Sequence, residues 1–281
     1  MYLKLESLQP TFSYKFRGAT NAVLKLAASP AGGARGVVTA SAGNHGRAMA
    51  HACASAGIPL TVYVPESAPR TKVEAIRALG ADLRFCSDYD EAEHRAKEHG
   101  ARGIGVFISP YAHPDVIAGA GTVALEILED NPEVDTIVAP IGGGGLISGI
   151  AVAANGRVEV SGVEVEASTP FTTSLAAGRI TPITVADSLA DGLTGNLDPD
   201  SPTFDIVRQK VHRIALVSEK DLRKAIGDAA REERIIVEGA AAAALGALAC
   251  GRLDVRGKKV AIVVSGANID LDKWASLVLT P

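Results

Sequence analysis

The sequence predicts an α/β protein with two open, twisted, mostly parallel sheets and flanking helices. From Gly36 onward, short β-branched runs alternate with Ala-rich stretches of helical period, the pattern of strands joined by crossover helices. The alternation restarts with a new apolar run at 136–138, which places a second set of strands after the first. The chain of 281 residues, 47% hydrophobic and only 4% aromatic, suffices for two layered domains with cores of Val, Ile, Leu and Ala.

Taken in order, residues 2–6 form a first strand. A strand at 37–39 precedes a helix at 46–56, and a strand at 60–64 precedes a helix at 70–79. There follow a strand at 82–86, a charged helix at 90–99, a strand at 106–108 and a long helix at 115–128. In the second stretch, strand 136–138 runs through a glycine turn into a helix at 146–154, 158–165 is a strand, and 260–264 is an apolar strand near the end. Residues 167–200, rich in Thr, Pro, Gly and Asp, read as irregular chain able to cover a cleft. The alanine run 240–244, beside Leu245 and Leu248, reads as a tightly packed helix. The layout divides into a small domain at 36–114 inserted in a large one made of 1–35 and 115–281.

Composition excludes several classes of function. A net charge of −4 without any Lys/Arg run offers no field for a phosphate backbone, so nucleic acid is not an expected partner. Cys53, Cys86 and Cys250 are odd in number, widely spaced and without a CxxC pair, which fits free thiols in a reducing cytoplasm. Met1 leads straight into Tyr2-Leu3-Lys4-Leu5 without a signal-like n-region, and no apolar run approaches the roughly 18 residues of a membrane span. A cytoplasmic chain without an anchor is expected.

Four segments carry chemistry. Gly142, Gly143, Gly144 and Gly145 lie between a strand and a helix, where successive backbone N–H groups and the helix dipole can cradle a phosphate; a flexible turn is the plain alternative. The spacing is not GxGxxG, since Ser148 takes the last position counted from Gly143, and no Walker loop occurs. The phosphate therefore belongs to something other than a nucleotide. Ser41-Ala42-Gly43-Asn44-His45-Gly46 opens a helix after strand 37–39 and can present N–H groups to a carboxylate and the Asn44 amide to a phenolate oxygen, or else is an ordinary helix cap. Lys15, between Tyr14 and Phe16, is either a partly desolvated, imine-forming amine or a solvated surface lysine. Ser265, at the end of strand 260–264, stands where open α/β sheets bind ligands and can meet a heterocycle nitrogen, or else it ends a strand in a turn.

In this order the four segments resemble the fold-type II pyridoxal-phosphate enzymes, which share a tryptophan synthase β-like fold. The resemblance is closest to the serine/threonine dehydratase and serine racemase branch. It extends over nearly the whole chain, through Val116-Ile117-Ala118-Gly119-Ala120-Gly121-Thr122, Ala190-Asp191-Gly192-Leu193 and Glu238-Gly239-Ala240. It implies a pyridoxal 5'-phosphate cofactor between two domains, with Lys15 as Schiff-base lysine and proton-transfer base. Gly142, Gly143, Gly144 and Gly145 would form its phosphate loop, Asn44 would contact the ring hydroxyl, and Ser265 the pyridine nitrogen. Substrate would meet Ser41, Ala42, Gly43, Asn44 and His45. A neutral hydroxyl at Ser265 cannot hold the ring protonated as a carboxylate would, which favours elimination over transamination.

The implied function is dehydration and deamination of L-threonine, L-serine or both, giving 2-oxobutyrate or pyruvate plus ammonia, by a homodimer acting on a small amino acid. His45 resembles the dehydratase branch. Ala42 stands where serine racemases tend to carry a proton-transferring serine, and a methyl group moves no proton. Racemase or another hydroxyamino-acid dehydratase is the alternative within the class; a catalytically weak cofactor- or amino-acid-binding protein is the alternative outside it.

Departures from the family pattern are Phe12, where relatives have glycine, and Ser109 and Ala120, in place of a histidine and a glutamine. Pro170 falls where the family's divalent-cation site has an acidic residue after the strand bearing Glu164, so no metal is expected. The N-terminal family segment is expected to be absent, and Pro281 to leave no room for a C-terminal regulatory domain.

Overall fold

The structure, a computed structural model, describes residues 1–29 and 35–279; residues 30–34, at the end of the segment 1–35, and Thr280 and Pro281 lie outside it. The chain forms two compact units, Gln9–Gly119 and Met1–Leu8 with Ala120–Pro281. β1 (Tyr2–Leu5) opens the chain and belongs to the second of these.

The unit Gln9–Gly119 runs α1 (Lys15–Ala27), β2 (Val37–Ala40), α2 (Asn44–Ala56), β3 (Leu60–Pro65), α3 (Arg70–Arg77), β4 (Asp82–Cys86), α4 (Tyr89–Ala101) and β5 (Val106–Phe107), then enters α5 (Pro114–Asp130). Its sheet has the order β4-β3-β2-β5 with every pair parallel. All four residues of β2 are buried, as a central parallel strand covered on both faces requires. β4 lies at an edge and carries exposed Asp82 and Arg84, charges that discourage a further strand from pairing there. Ala19, Ala22 and Val23 of α1 share one core with Ala48, Met49 and Cys53 of α2, and these small residues let the two helices pack closely. Asp88 caps α4 by accepting the Glu91 N–H at 2.8 Å. α1, which falls in the segment 1–35, thus packs with α2 inside this unit.

The second unit continues through β6 (Thr136–Pro140), α6 (Gly145–Ala154), β7 (Glu159–Val165), α7 (Pro170–Ala177), α8 (Pro202–Lys210), β8 (Arg213–Val217), α9 (Glu219–Arg231), α10 (Gly239–Ala249), β9 (Val260–Val264) and α11 (Leu271–Leu279). Its sheet has the order β1-β9-β6-β7-β8, again wholly parallel. β6 and β9 are buried at every residue and form the centre of the core. Ala240, Ala241, Ala242, Ala243 and Ala244 of α10 are buried there too. Their helix begins so close to the chain at Leu189 that a Cβ on Gly239 would stand 2.0 Å from the Leu189 carbonyl oxygen.

The two parallel sheets with flanking helices are the expected architecture. The reading of 167–200 as wholly irregular is corrected: α7 lies inside it, and a single 3-10 turn spans Asp191–Leu193. Pro170 and Gly178 are boundary marks of that helix, the proline in its first turn and the glycine at its end with φ +70.

Candidate active site

In Gln9–Gly119, Lys15 is the first residue of α1, held there by its own N–H donating to Ser13 Oγ at 3.1 Å. The turn before it depends on Phe12, which adopts φ +56, and closes with Phe12 N–H on the Gln9 carbonyl at 2.7 Å. Lys15 Nζ donates to the Pro110 carbonyl at 2.6 Å and lies 5.3 Å from the Tyr14 ring centroid. The lysine is thus half-buried rather than a free surface charge. Sequence gave no sign of Pro110 as its partner, because the contact spans 95 residues.

Asn44 is the first residue of α2, and no side chain caps that helix: the Ser41 hydroxyl accepts from Gly43 N–H at 3.2 Å instead. A Cβ on Gly46 would stand 2.0 Å from the Ser41 carbonyl, so the motif folds back on itself only with glycine at that position. His45 is 2% exposed. Burial, and next the charge of Lys15, hold its pKa well below the ordinary histidine value, while the Ile108 carbonyl pulls the other way. A neutral imidazole therefore accompanies the lysine. Ser109 takes no part in this cluster through its side chain; it ties the turn before α5, accepting from Ala112 N–H at 3.2 Å.

In the second unit, β6 and β9 are neighbours running the same way, so the glycine turn after β6 and Ser265 after β9 share the C-terminal edge of the sheet. There α/β sheets bind their ligands. Gly144 has φ +84, and α6 starts at Gly145 with no capping side chain, leaving the helix N-terminus to an anion. A Cβ on Gly142 would stand 3.1 Å from both Gly192 O and Leu193 Cα, a tight fit to the Asp191–Leu193 turn. Ser265 is 2% exposed, and the next residue packs on a buried carboxylate, since a Cβ on Gly266 would stand 2.5 Å from Glu238 Oε1. Glu238 also accepts the Asn268 N–H at 3.0 Å, bracing the turn that bears Ser265. A cavity of about 450 Å³, lined by Asp135, Arg157, Glu159, His212 and Lys258 among others, opens at the strands' opposite ends and shares none of these residues.

Within the second unit, an uncapped helix N-terminus behind a glycine turn and the buried neutral hydroxyl of Ser265, on one sheet edge, suit the phosphate and ring nitrogen of a phosphorylated heterocycle; within Gln9–Gly119, Lys15 offers an amine suited to an aldehyde. Glu164, on the strand where the family resemblance places a divalent-cation site, is engaged within the protein. Both oxygens of Glu164 accept hydrogen bonds from the start of α7, from Phe171 N–H at 2.7 Å and from Thr172 N–H at 2.9 Å and Oγ1–H at 2.6 Å. No cluster of three or more His, Cys, Asp or Glu suited to a metal occurs among the described residues.

Two wholly parallel sheets, one with a glycine turn at the C-terminal end of a central strand, define an open-sheet α/β protein of the ligand-binding class. The model of the pyridoxal-phosphate dependent enzyme family matches residues 1–266. The chain is 41% identical over 276 residues to an L-threonine ammonia-lyase of Thermotoga maritima, covering 97% of this chain and 68% of that protein. Among solved structures it resembles threonine deaminase isoform 2 of Solanum lycopersicum in its processed form, with a TM-score of 0.89 and 32% identity over 98% of this chain and 82% of that one. It also resembles maize serine racemase, with a TM-score of 0.88 and 34% identity over 98% and 85% of the two chains. The chain belongs to the fold-type II pyridoxal-phosphate dependent enzymes, in the threonine/serine dehydratase family close to the serine racemase branch.

Proposed function

We propose that this chain is a pyridoxal 5'-phosphate dependent ammonia-lyase that converts L-threonine, L-serine or both to the 2-oxo acid and ammonia. The observation that carries this reading is the pairing, on one sheet edge, of a glycine turn at a helix N-terminus with the buried neutral hydroxyl of Ser265. When bound, pyridoxal phosphate takes up the electrons released when a Cα bond breaks.

The chain's own residues do the rest. Gly142, Gly143, Gly144 and Gly145 would hold the phosphate on backbone N–H groups, Ser265 would bond the ring nitrogen without charging it, and Asn44 would take the ring hydroxyl. Lys15 supplies the amine that holds the cofactor. Lys15 Nζ is also the base that would take the proton from the substrate Cα. Backbone amides from Ser41 through Asn44, with Ala42, Gly43 and His45 lining the same turn, grip the substrate carboxylate and so choose which Cα bond faces the lysine.

The likeness to maize serine racemase favours racemisation as a second reading, but Ala42 offers no group to return a proton from the opposite face. Free Cys53, Cys86 and Cys250, with burial pushing the Cys53 thiol up to about 12, suit a reducing cytoplasm. A homodimer is the assembly the family resemblance implies.

The test is the visible spectrum of the protein with pyridoxal phosphate before and after adding L-threonine, with 2-oxobutyrate assayed alongside. Wild type is expected to show a band near ~410–430 nm that shifts with substrate, and to form 2-oxobutyrate, while Lys15→Ala does neither. A Lys15→Ala protein that behaves like wild type removes the lysine from the reaction. Accumulation of D-amino acid in place of 2-oxo acid selects the racemase.

A further inference from the structure

Glu164 is 0% exposed, and its two carboxylate oxygens accept from the backbone and hydroxyl donors at the start of α7. A buried carboxylate satisfied in this way pins the helix N-terminus through both hydrogen bonds and the helix dipole. What it pins is Phe171, also 0% exposed. The Phe171 ring fills the space beside Gly144, where a Cβ would stand 2.5 Å from Phe171 Cζ and 3.0 Å from Thr203 Cβ. Any side chain at Gly144 is excluded twice, by its φ of +84 and by this wall.

Thr203, in the first turn of α8, completes the wall. Its hydroxyl donates to the Gly143 carbonyl at 2.9 Å, and Ser201 Oγ lies 2.7 Å from the same Thr203 Oγ1. Thr203 has one hydroxyl proton and spends it on Gly143, so Ser201 is the donor to Thr203. A trans peptide is planar, with its C=O and N–H pointing opposite ways. Holding the Gly143 carbonyl toward α8 therefore aims the Gly144 N–H away from it.

We propose that Glu164, acting through Phe171, and Thr203, relayed by Ser201, are positioning residues that clamp the glycine turn from behind and set its N–H groups for a phosphate. The inference rests on the reading of that turn as the phosphate cradle. Neither Glu164 nor Thr203 touches the cofactor; each acts through the peptide planes of Gly143 and Gly144.

The experiment is a titration of cofactor-stripped protein with pyridoxal phosphate and with pyridoxal, which share the aldehyde and ring and differ only in the phosphate. Wild type is expected to prefer the phosphorylated form strongly. Thr203→Val and Glu164→Gln should each cut that preference about tenfold while leaving pyridoxal affinity within about twofold, and Thr203→Ser should restore it. A folded Thr203→Val protein with the wild-type preference overturns the clamp. A Glu164→Gln protein that melts earlier but keeps the preference overturns the part played by Glu164, which is then only a helix anchor. If wild type itself binds both forms equally, the cradle reading fails and the clamp falls with it.

Discussion

Phe12 holds the turn before Lys15 in a left-handed conformation that glycine reaches without cost and a side chain with a Cβ does not. The Arg47 guanidinium lies 5.0 Å from its ring centroid, a cation–π contact that offsets part of the strain. Removing the ring separates the two effects. Phe12→Gly and Phe12→Ala lose the same stacking, but only alanine keeps the strain, so Phe12→Gly is expected to be the more stable of the two by about 1 kcal/mol. Urea unfolding at matched m-values reads this directly, and equal midpoints mean that the turn relaxes. At this scale the sequence was legible where chemistry is local. The four glycines stood out through their adjacency, whereas Lys15, which its aromatic neighbours alone left as readily a surface lysine, was singled out by the family resemblance of the ordered motifs. Pro110 and Thr203 stayed hidden because each meets its target only after the chain has returned over strands and helices, and the grip of Glu164 on α7 because that helix itself was not read.

Among the elements, the alternating strands and helices were readable because central parallel strands are buried on both faces and so appear as unbroken apolar runs, as in β6 and β9. β8 gives a weaker signal, an edge strand with only Ala215 and Val217 buried. In 167–200 the composition of turn formers concealed α7, whose bounding Pro170 and Gly178 belong to its first turn and its cap. The same kind of residue has a different purpose in the first turn of α2. Gly46 is helical there, and its missing Cβ lets the Ser41 carbonyl lie against the helix. Gly46→Ala is expected to cost about 2–3 kcal/mol despite alanine's better helix propensity, because the blocking atom is backbone and cannot swing away. Thermal melts of the variant measure the cost, and a neutral or stabilising effect shows that the Ser41 loop yields.

Across the whole molecule, acid sensitivity follows from histidines kept neutral by burial. His45, His99 and His113 are all shifted below the usual value, burial being the largest cause in each. Below about pH 6.5 the unfolded chain takes up protons that the folded one refuses, so stability is fully present above that pH and declines as the pH falls through it. His45→Gln is expected to flatten the decline by up to one proton, about 1.4 kcal/mol per pH unit, in unfolding free energies compared between pH 7.5 and 5.5. A variant as steep as wild type assigns the sensitivity to the other two rings.

The pairing of β1 with β9 bears on how such a molecule is made. Tyr2 lies opposite Ala261 and Leu5 opposite Val264, so a strand made before every other strand of its sheet waits for one that comes far later in the chain. Until β9 is made, β1 lacks the neighbour it pairs with, whereas all the strands of the Gln9–Gly119 unit emerge within a short span of chain and can assemble early. Lys4, set between two leucines on that waiting strand, makes it a poorer template for aggregation until Glu126 takes its charge in the finished fold.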